Sequence, residues 1–168
     1  MVNNRARSGK ERVCQFIAYG FGSGFSPRAP GTFGSLVGLL VCAIYRNISP
    51  SKSADESQFI EIFAILALSI IGWYAIKITE EMTEIHDDPR IVIDEIAGQW
   101  IALLPLKTIH FREFIVGFIL FRFFDIVKPW PIRWLDEKLN SAFGTLVDDL
   151  VAGLFAAIVL VILMRNIF

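Results

Sequence analysis

The sequence predicts an all-α fold, a compact membrane-embedded bundle of about 4–5 apolar helices. Two features of composition and one of pattern predict it. Of the 168 residues, 54% are hydrophobic and only 20% are charged, against about 45–50% and a quarter in an ordinary soluble domain. Mean hydropathy is +0.54. The charges are clustered, and the apolar runs between them have helical length. The length suits one domain, 1–168, with residues 1–12 as a basic N-terminal arm.

Arg5, Arg7, Lys10 and Arg12 give that arm its charge. It reads either as a solvated tail or as a segment drawn to anionic lipid headgroups. Glycine and proline between Gly20 and Ser35 are too dense for a helix and predict a loop. An apolar helix over 32–45 follows, with Thr32 as its N-cap. Backbone N–H groups at such a start are able to hold a phosphate, although a plain capped turn has the same sequence. Residues 47–57 are polar, and a second apolar helix over 59–78 is interrupted mainly by Glu61. The charged stretch 77–90, with Glu80, Glu81, Glu84, Asp87 and Asp88, reads as a solvated face ending near Pro89.

A third helix spans 91–104 and stops near Pro105. A short loop with Lys107 and His110 leads to a fourth over 111–127, before Pro129 and Pro131. A polar connection over 133–141 precedes the fifth helix, 147–164. The longest uncharged runs hold about 15–17 residues, short of a clean span of 18 or more. Trp73, Trp100, Trp130 and Trp134 fall near helix ends or loops, where interfacial anchors belong.

Several classes are disfavoured. A net charge of −1 argues against a general nucleic-acid binder. Cys14 and Cys42 form no disulfide or metal pattern. Six residues after them stand Gly20 and Ile48 rather than arginine, so a cysteine-phosphatase loop is absent. The basic start lacks the pattern of a cleavable signal peptide.

Threading five crossings from a cytoplasmic N-terminus puts 1–31, 77–90 and 122–146 inside. Those loops carry Arg5, Arg7, Lys10, Arg12, Arg28, Lys77, Arg90, Arg122, Lys128, Arg133 and Lys138, eleven of the sixteen Lys and Arg. The bias has the sign of the positive-inside rule. The same threading brings three acidic places to that face: Asp94-Glu95, Asp125, and Asp148-Asp149, each set in apolar sequence.

Burying ionised carboxylates without partners costs several kcal/mol or more, so such residues need a cation, a proton or a wet cavity. Arg122, Asp125 and Lys128 are three apart and share a helix face. Gly98 and Gly153 lie one turn after Glu95 and Asp149, where another helix or a ligand has room to approach. An oxygen-only ligand set favours Mg²⁺ or Mn²⁺ over Zn²⁺, and Arg122 and Lys128 beside it suit a phosphate. Plainer readings exist: a surface ion pair for Arg122 and Asp125, a favourable helix start for Asp148 and Asp149, an ordinary solvated pair for Asp136 and Lys138. Asp94-Glu95 inside an apolar run has the weakest of these.

The chain resembles the phosphatidylglycerophosphatase A family over nearly everything after residue 14. The resemblance rests on Ala29-Pro30-Gly31-Thr32-Phe33-Gly34-Ser35 and on Asp88-Pro89 with Ile93-Asp94-Glu95 and Gly98-Gln99-Trp100. It continues through Phe121-Arg122-Phe123-Phe124-Asp125-Ile126-Val127-Lys128-Pro129-Trp130-Pro131 and Asp148-Asp149-Leu150-Val151-Ala152-Gly153. One departure is Ser141-Ala142, where the family usually has a glycine pair, although Gly144 matches. The resemblance implies a helical, Mg²⁺-dependent lipid phosphatase of the bacterial inner membrane, multi-pass and facing the cytoplasm. It would hydrolyse phosphatidylglycerophosphate to phosphatidylglycerol and phosphate.

On this reading Asp94, Glu95, Asp125, Asp148 and Asp149 ligate the metal and supply any base. Arg122 and Lys128 grip the phosphoryl oxygens, with Lys128 also counted among the catalytic residues. Thr32, Ser35 and nearby amides orient the headgroup. Direct attack by water and a phosphorylated carboxylate both suit this set. The rival class is an ion-coupled transporter or channel, because intramembrane acids mark ion paths; it expects those acids at mid-depth. A non-catalytic scaffold leaves them without a purpose.

Overall fold

A computed structural model describes residues 7–48, 54–106 and 111–167. Arg5, Lys52, Lys107 and His110 lie outside the described residues. The described elements are helical throughout: α1 (Gly9–Ala18), a 3₁₀ segment (Gly20–Phe25), α2 (Pro30–Ile48), α3 (Ala54–Thr83), α4 (Ile93–Leu103), α5 (Phe111–Val127), α6 (Ile132–Lys138) and α7 (Ala142–Ile167).

α1 overlaps the end of the basic arm expected over 1–12 and continues as helix to Ala18. Its start is a reciprocal cap: Ser8 Oγ accepts from the Glu11 N–H at 3.2 Å, and Ser8 N–H donates to Glu11 Oε2 at 2.7 Å. This capping box satisfies two of the amides a helix start leaves unpaired. α2 begins at Pro30, two residues before the expected Thr32 cap. Proline fits the first turn because its missing N–H would have had no helical partner there. α3 runs through Glu61 and on to Thr83, so much of the expected charged loop is helix. α6 replaces most of the expected polar connection. α5 has the expected bounds.

α4 is the axis. It has eleven residues, nine of them buried, and packs against α2, α3, α5 and α7. At about 1.5 Å per residue it is some 16 Å long, about half the ~30 Å hydrocarbon core. Its contact with α7 depends on two glycines. A Cβ on Gly98 would strike Asp149 O and the Phe121 ring, and one on Gly153 would strike Gly98 O. The room beside each acid is therefore filled by another helix.

Five crossings were expected; among the described residues three helices are long and apolar enough, over Pro30–Ile48, Glu56–Thr83 and Ala142–Arg165. Their most apolar windows have mean hydropathies of 1.3, 2.2 and 2.5, and they suggest a membrane protein. Large apolar side chains point outward along them, including Leu40, Ile44, Phe63, Ile70, Leu154 and Ile158. Exposed apolar surface on this scale marks a lipid or partner contact.

Glu61 does not interrupt α3, because it is neutralised. It accepts from Arg46 Nε at 2.9 Å and from Trp100 Nε1 at 2.8 Å. Arg46 also donates to Leu103 O, at the end of α4, and to Leu106 O just beyond it. Trp100, expected as an interfacial anchor, is thus a buried hydrogen-bond donor at the C-terminal end of α4. Trp130 and Trp134 are exposed.

Candidate active site

The other end of α4 carries the acids. Asp94 and Glu95 fill its first turn, where the helix dipole favours negative charge. Asp149 comes from the second turn of α7, brought close by the Gly98–Gly153 crossing. One carboxylate oxygen from each of Asp94, Glu95 and Asp149 lies within 4.8 Å of the other two. Asp94 and Asp149 are buried, and Glu95 partly so.

These residues line a cavity of about 270 Å³, together with Arg122, Asp125, Lys128 and Asp148. The start of α2 and Asp87, Asp88 and Pro89 complete its wall. Seven residues singled out from the sequence, on α4, α5, α7 and the turn after α5, therefore share one cavity. They divide by partner. Arg122 donates to Asp125 across one helical turn. Lys128 donates to Asp148 and, at 2.9 Å, to Asp136. Asp94, Glu95 and Asp149 form the remaining all-oxygen group; Asp125 and Asp148 lie outside it, held by the two cations.

The donor set fits a small hard cation such as Mg²⁺ or Mn²⁺, which oxygen ligands suit. Glu95 Oε2 and Asp148 Oδ1 are buried with no hydrogen-bond partner among the described residues. Unpaired buried carboxylate oxygens cost free energy that a bound cation would recover.

Lys128 reaches its partners through an uncommon backbone. It follows the last residue of α5 with φ 44°, the left-handed position where helices usually place glycine. Its N–H closes on Phe124 O at 2.9 Å. Although burial opposes its charge, Asp148 and Asp136 outweigh that and raise its pKa above the ordinary lysine range. Asp136 is a site residue the sequence did not reveal: expected beside Lys138, it bonds Lys128 across the turn at Pro129–Pro131.

Thr32 and Ser35 were expected to bind the headgroup, and neither lines the cavity. Because α2 starts at Pro30, both lie inside the helix. The Ser35 hydroxyl is buried and donates to Gly31 O at 2.8 Å. Ala29, Pro30 and Gly31 take their place in the wall. Gly31 leaves room there for two side-chain ends: a Cβ would stand 2.3 Å from Glu95 Oε1 and 3.0 Å from Arg122 Nη1, so those ends would have to shift.

Asp88, expected as a solvated acid, is buried in the same wall. Arg90 Nε and Nη2 donate to its carboxylate, the latter at 2.6 Å, and Tyr19 Oη donates at 3.0 Å. The Arg90 hydrogen bonds hold its carboxyl below the usual carboxylate range. The Tyr19 partner is 69 residues away in sequence, so no local pattern announces it.

The family model for phosphatidylglycerophosphatase A matches residues 16–164. A phosphatidylglycerophosphatase A of Haemophilus influenzae is 39% identical over 143 residues, covering 85% of this chain and 83% of that protein. One of Escherichia coli is 37% identical over 141 residues, covering 84% and 77%. A protein of Bacteroides thetaiotaomicron, provisionally named a phosphatidylinositol-3-phosphatase, is 34% identical over 150 residues, covering 87% and 90%. No solved structure matches significantly. With a family match over most of its length and relatives well above 30% identity across it, the chain belongs to the phosphatidylglycerophosphatase A family.

Proposed function

We propose that this protein is a Mg²⁺-dependent phosphatase. It hydrolyses the phosphomonoester of phosphatidylglycerophosphate at the cytoplasmic face of the bacterial inner membrane, yielding phosphatidylglycerol and phosphate. Family membership supports the substrate. The observation that carries the chemistry is the cavity in which Asp94, Glu95 and Asp149 converge beside Arg122 and Lys128.

Asp94, Glu95 and Asp149 would hold the metal, which when bound neutralises charge on the transferring phosphoryl group. Phosphoryl transfer asks mainly for positioning and charge stabilisation. Arg122, oriented by Asp125, presents guanidinium N–H groups to the phosphoryl oxygens. Lys128, steered by Asp148 and Asp136, presents an ammonium. Asp148 lines the cavity, and its Oδ1, buried with no hydrogen-bond partner among the described residues, is the carboxylate oxygen assigned to accept a proton from an attacking water. The whole chain acts as one domain.

Acids in the first turn of α4, the last turn of α5 and the second turn of α7 lie towards helix ends, which suits a surface-facing site better than an ion path at mid-depth. The test is purified protein in detergent–lipid micelles, assayed for free phosphate with and without Mg²⁺. Phosphatidylglycerophosphate should turn over only with the metal. The Bacteroides relative's printed name makes phosphatidylinositol 3-phosphate the informative competitor. Preference for that lipid would keep the chemistry and overturn the substrate; no phosphate release from either would overturn the enzyme reading.

A further inference from the structure

α1 and the 3₁₀ segment after it have an outer surface unlike the polar surface expected of a terminal arm. Val13, Phe16, Phe21 and Phe25 are exposed by 58%, 55%, 51% and 63%. They form an ordered surface: the Phe16 and Phe21 rings meet edge-on at 5.7 Å, and Phe25 meets Tyr19 at 5.2 Å. Cys14 and Ala18, on the opposite side of α1, are buried. Arg7, Lys10 and Arg12 give the helix three cations within six residues. Arg7 is fixed by its hydrogen bond to Gln15 at 2.9 Å, and Lys10 lies over the Tyr74 ring at 5.1 Å.

Its place along α3 sets its depth. α3 has 30 residues, about 45 Å, against a hydrocarbon core of ~30 Å. Its last turns therefore reach into the headgroup region, and α1 packs there: Lys10 on Tyr74, and Ser8 and Glu11 beside Glu81 and Met82. An apolar wedge with cations alongside, held at that depth, has the chemistry of an in-plane membrane helix.

We propose that α1 with the 3₁₀ segment is a docking surface for the anionic phospholipid bilayer. Val13, Phe16, Phe21 and Phe25 enter the acyl boundary, and Arg7, Lys10 and Arg12 lie among lipid phosphates. The surface is tied to the cavity. Tyr19, the residue that ends α1, donates to Asp88 in the cavity wall, Arg90 lies over its ring, and Val92 N–H donates to Ala18 O at 2.9 Å. Seating α1 on the bilayer therefore holds the cavity mouth at headgroup depth, where a lipid phosphate arrives.

The test uses the full chain reconstituted in phosphatidylcholine vesicles with and without phosphatidylserine. Nitroxide labels are placed by Val13→Cys, Phe16→Cys or Phe25→Cys on a Cys14→Ala/Cys42→Ala background. Collision with oxygen reports lipid, and collision with a water-soluble nickel chelate reports solvent. All three labels should favour oxygen, more strongly when phosphatidylserine is present. Arg7→Gln/Lys10→Gln/Arg12→Gln should erase that dependence, each cation being worth about fivefold in the seated population. Nickel-accessible labels in both vesicles would overturn the proposal. So would labels shielded from both reagents, which would mean a protein segment covers the face, or oxygen preference indifferent to phosphatidylserine. No turnover is read, so this result is independent of the phosphatase reading.

Discussion

Asp94 illustrates how one carboxylate carries both cost and use. It is buried in the first turn of α4, within reach of Glu95 and Asp149. Asp94→Asn keeps the shape and removes one charge, so Mg²⁺-dependent phosphate release should vanish while the protein remains folded; retained turnover would remove Asp94 from the site. Lys128→Met deletes a proposed phosphoryl ligand and leaves Asp148 without its cation. Loss of one such charge-stabilising donor typically costs about 100-fold or more in kcat, and Lys128→Arg should recover part of it. Asp88 contributes to stability through its pair with Arg90. Its native pKa is depressed by Arg90, so its contribution is full above the unfolded value, near pH 4. It is lost as pH falls through the lower native value. Asp88→Asn should lower Tm at neutral pH and flatten the acid limb of a Tm-against-pH curve in detergent.

At the scale of elements, the decisive contact is α4 against α7. Glycine in a helix interior ordinarily costs about 1 kcal/mol relative to alanine, so Gly153→Ala on an isolated helix would stabilise. Here its Cβ would meet backbone, Gly98 O, rather than a side chain free to move. Overpacking of this kind costs about 1–3 kcal/mol and would also push Asp149 away from Asp94. Gly153→Ala should therefore lower Tm and weaken Mn²⁺ binding measured by electron paramagnetic resonance, whereas Gly9→Ala, with nothing within 4 Å of its Cβ, should do neither. α1 shows the opposite relation between sequence and element. Its Ser8–Glu11 box was legible in the sequence, but the dense charge around it suggests an arm. A cap specifies where a helix begins, and net charge does not.

Taken as a whole, the molecule keeps its short central helix away from lipid by surrounding it with longer ones, and opens its cavity at one end of α4. Three like charges near one another in such a site repel until a cation arrives. Ligand binding to the folded state adds RT ln(1 + [L]/Kd), about 2.7 kcal/mol at a hundredfold excess over Kd. Mg²⁺ should accordingly raise Tm of the detergent-solubilised protein. Asp149→Asn should raise Tm without metal, by relieving repulsion, and abolish the Mg²⁺ increment. Scanning calorimetry with and without chelator checks both signs.

Composition and ordered motifs were enough to determine an all-helical, apolar chain with acids and two cations clustered at a few points along it. Those are properties of local sequence: helical runs of apolar residues, and charges too costly to bury alone. The α5 bounds were legible because prolines follow it closely. What tertiary structure decided was which charge meets which. Asp125 kept the Arg122 partner one helical turn away that the sequence offered, but Asp148 went to Lys128, leaving Asp94, Glu95 and Asp149 as the open oxygen group. Tyr19 found Asp88, Trp100 found Glu61, and Lys128 found Asp136 across a turn. Pairings between groups far apart in the chain depend on glycine-mediated close approach and on backbone reversals such as that at Lys128. No periodicity in the sequence encodes them, because the partners become neighbours only when the helices pack.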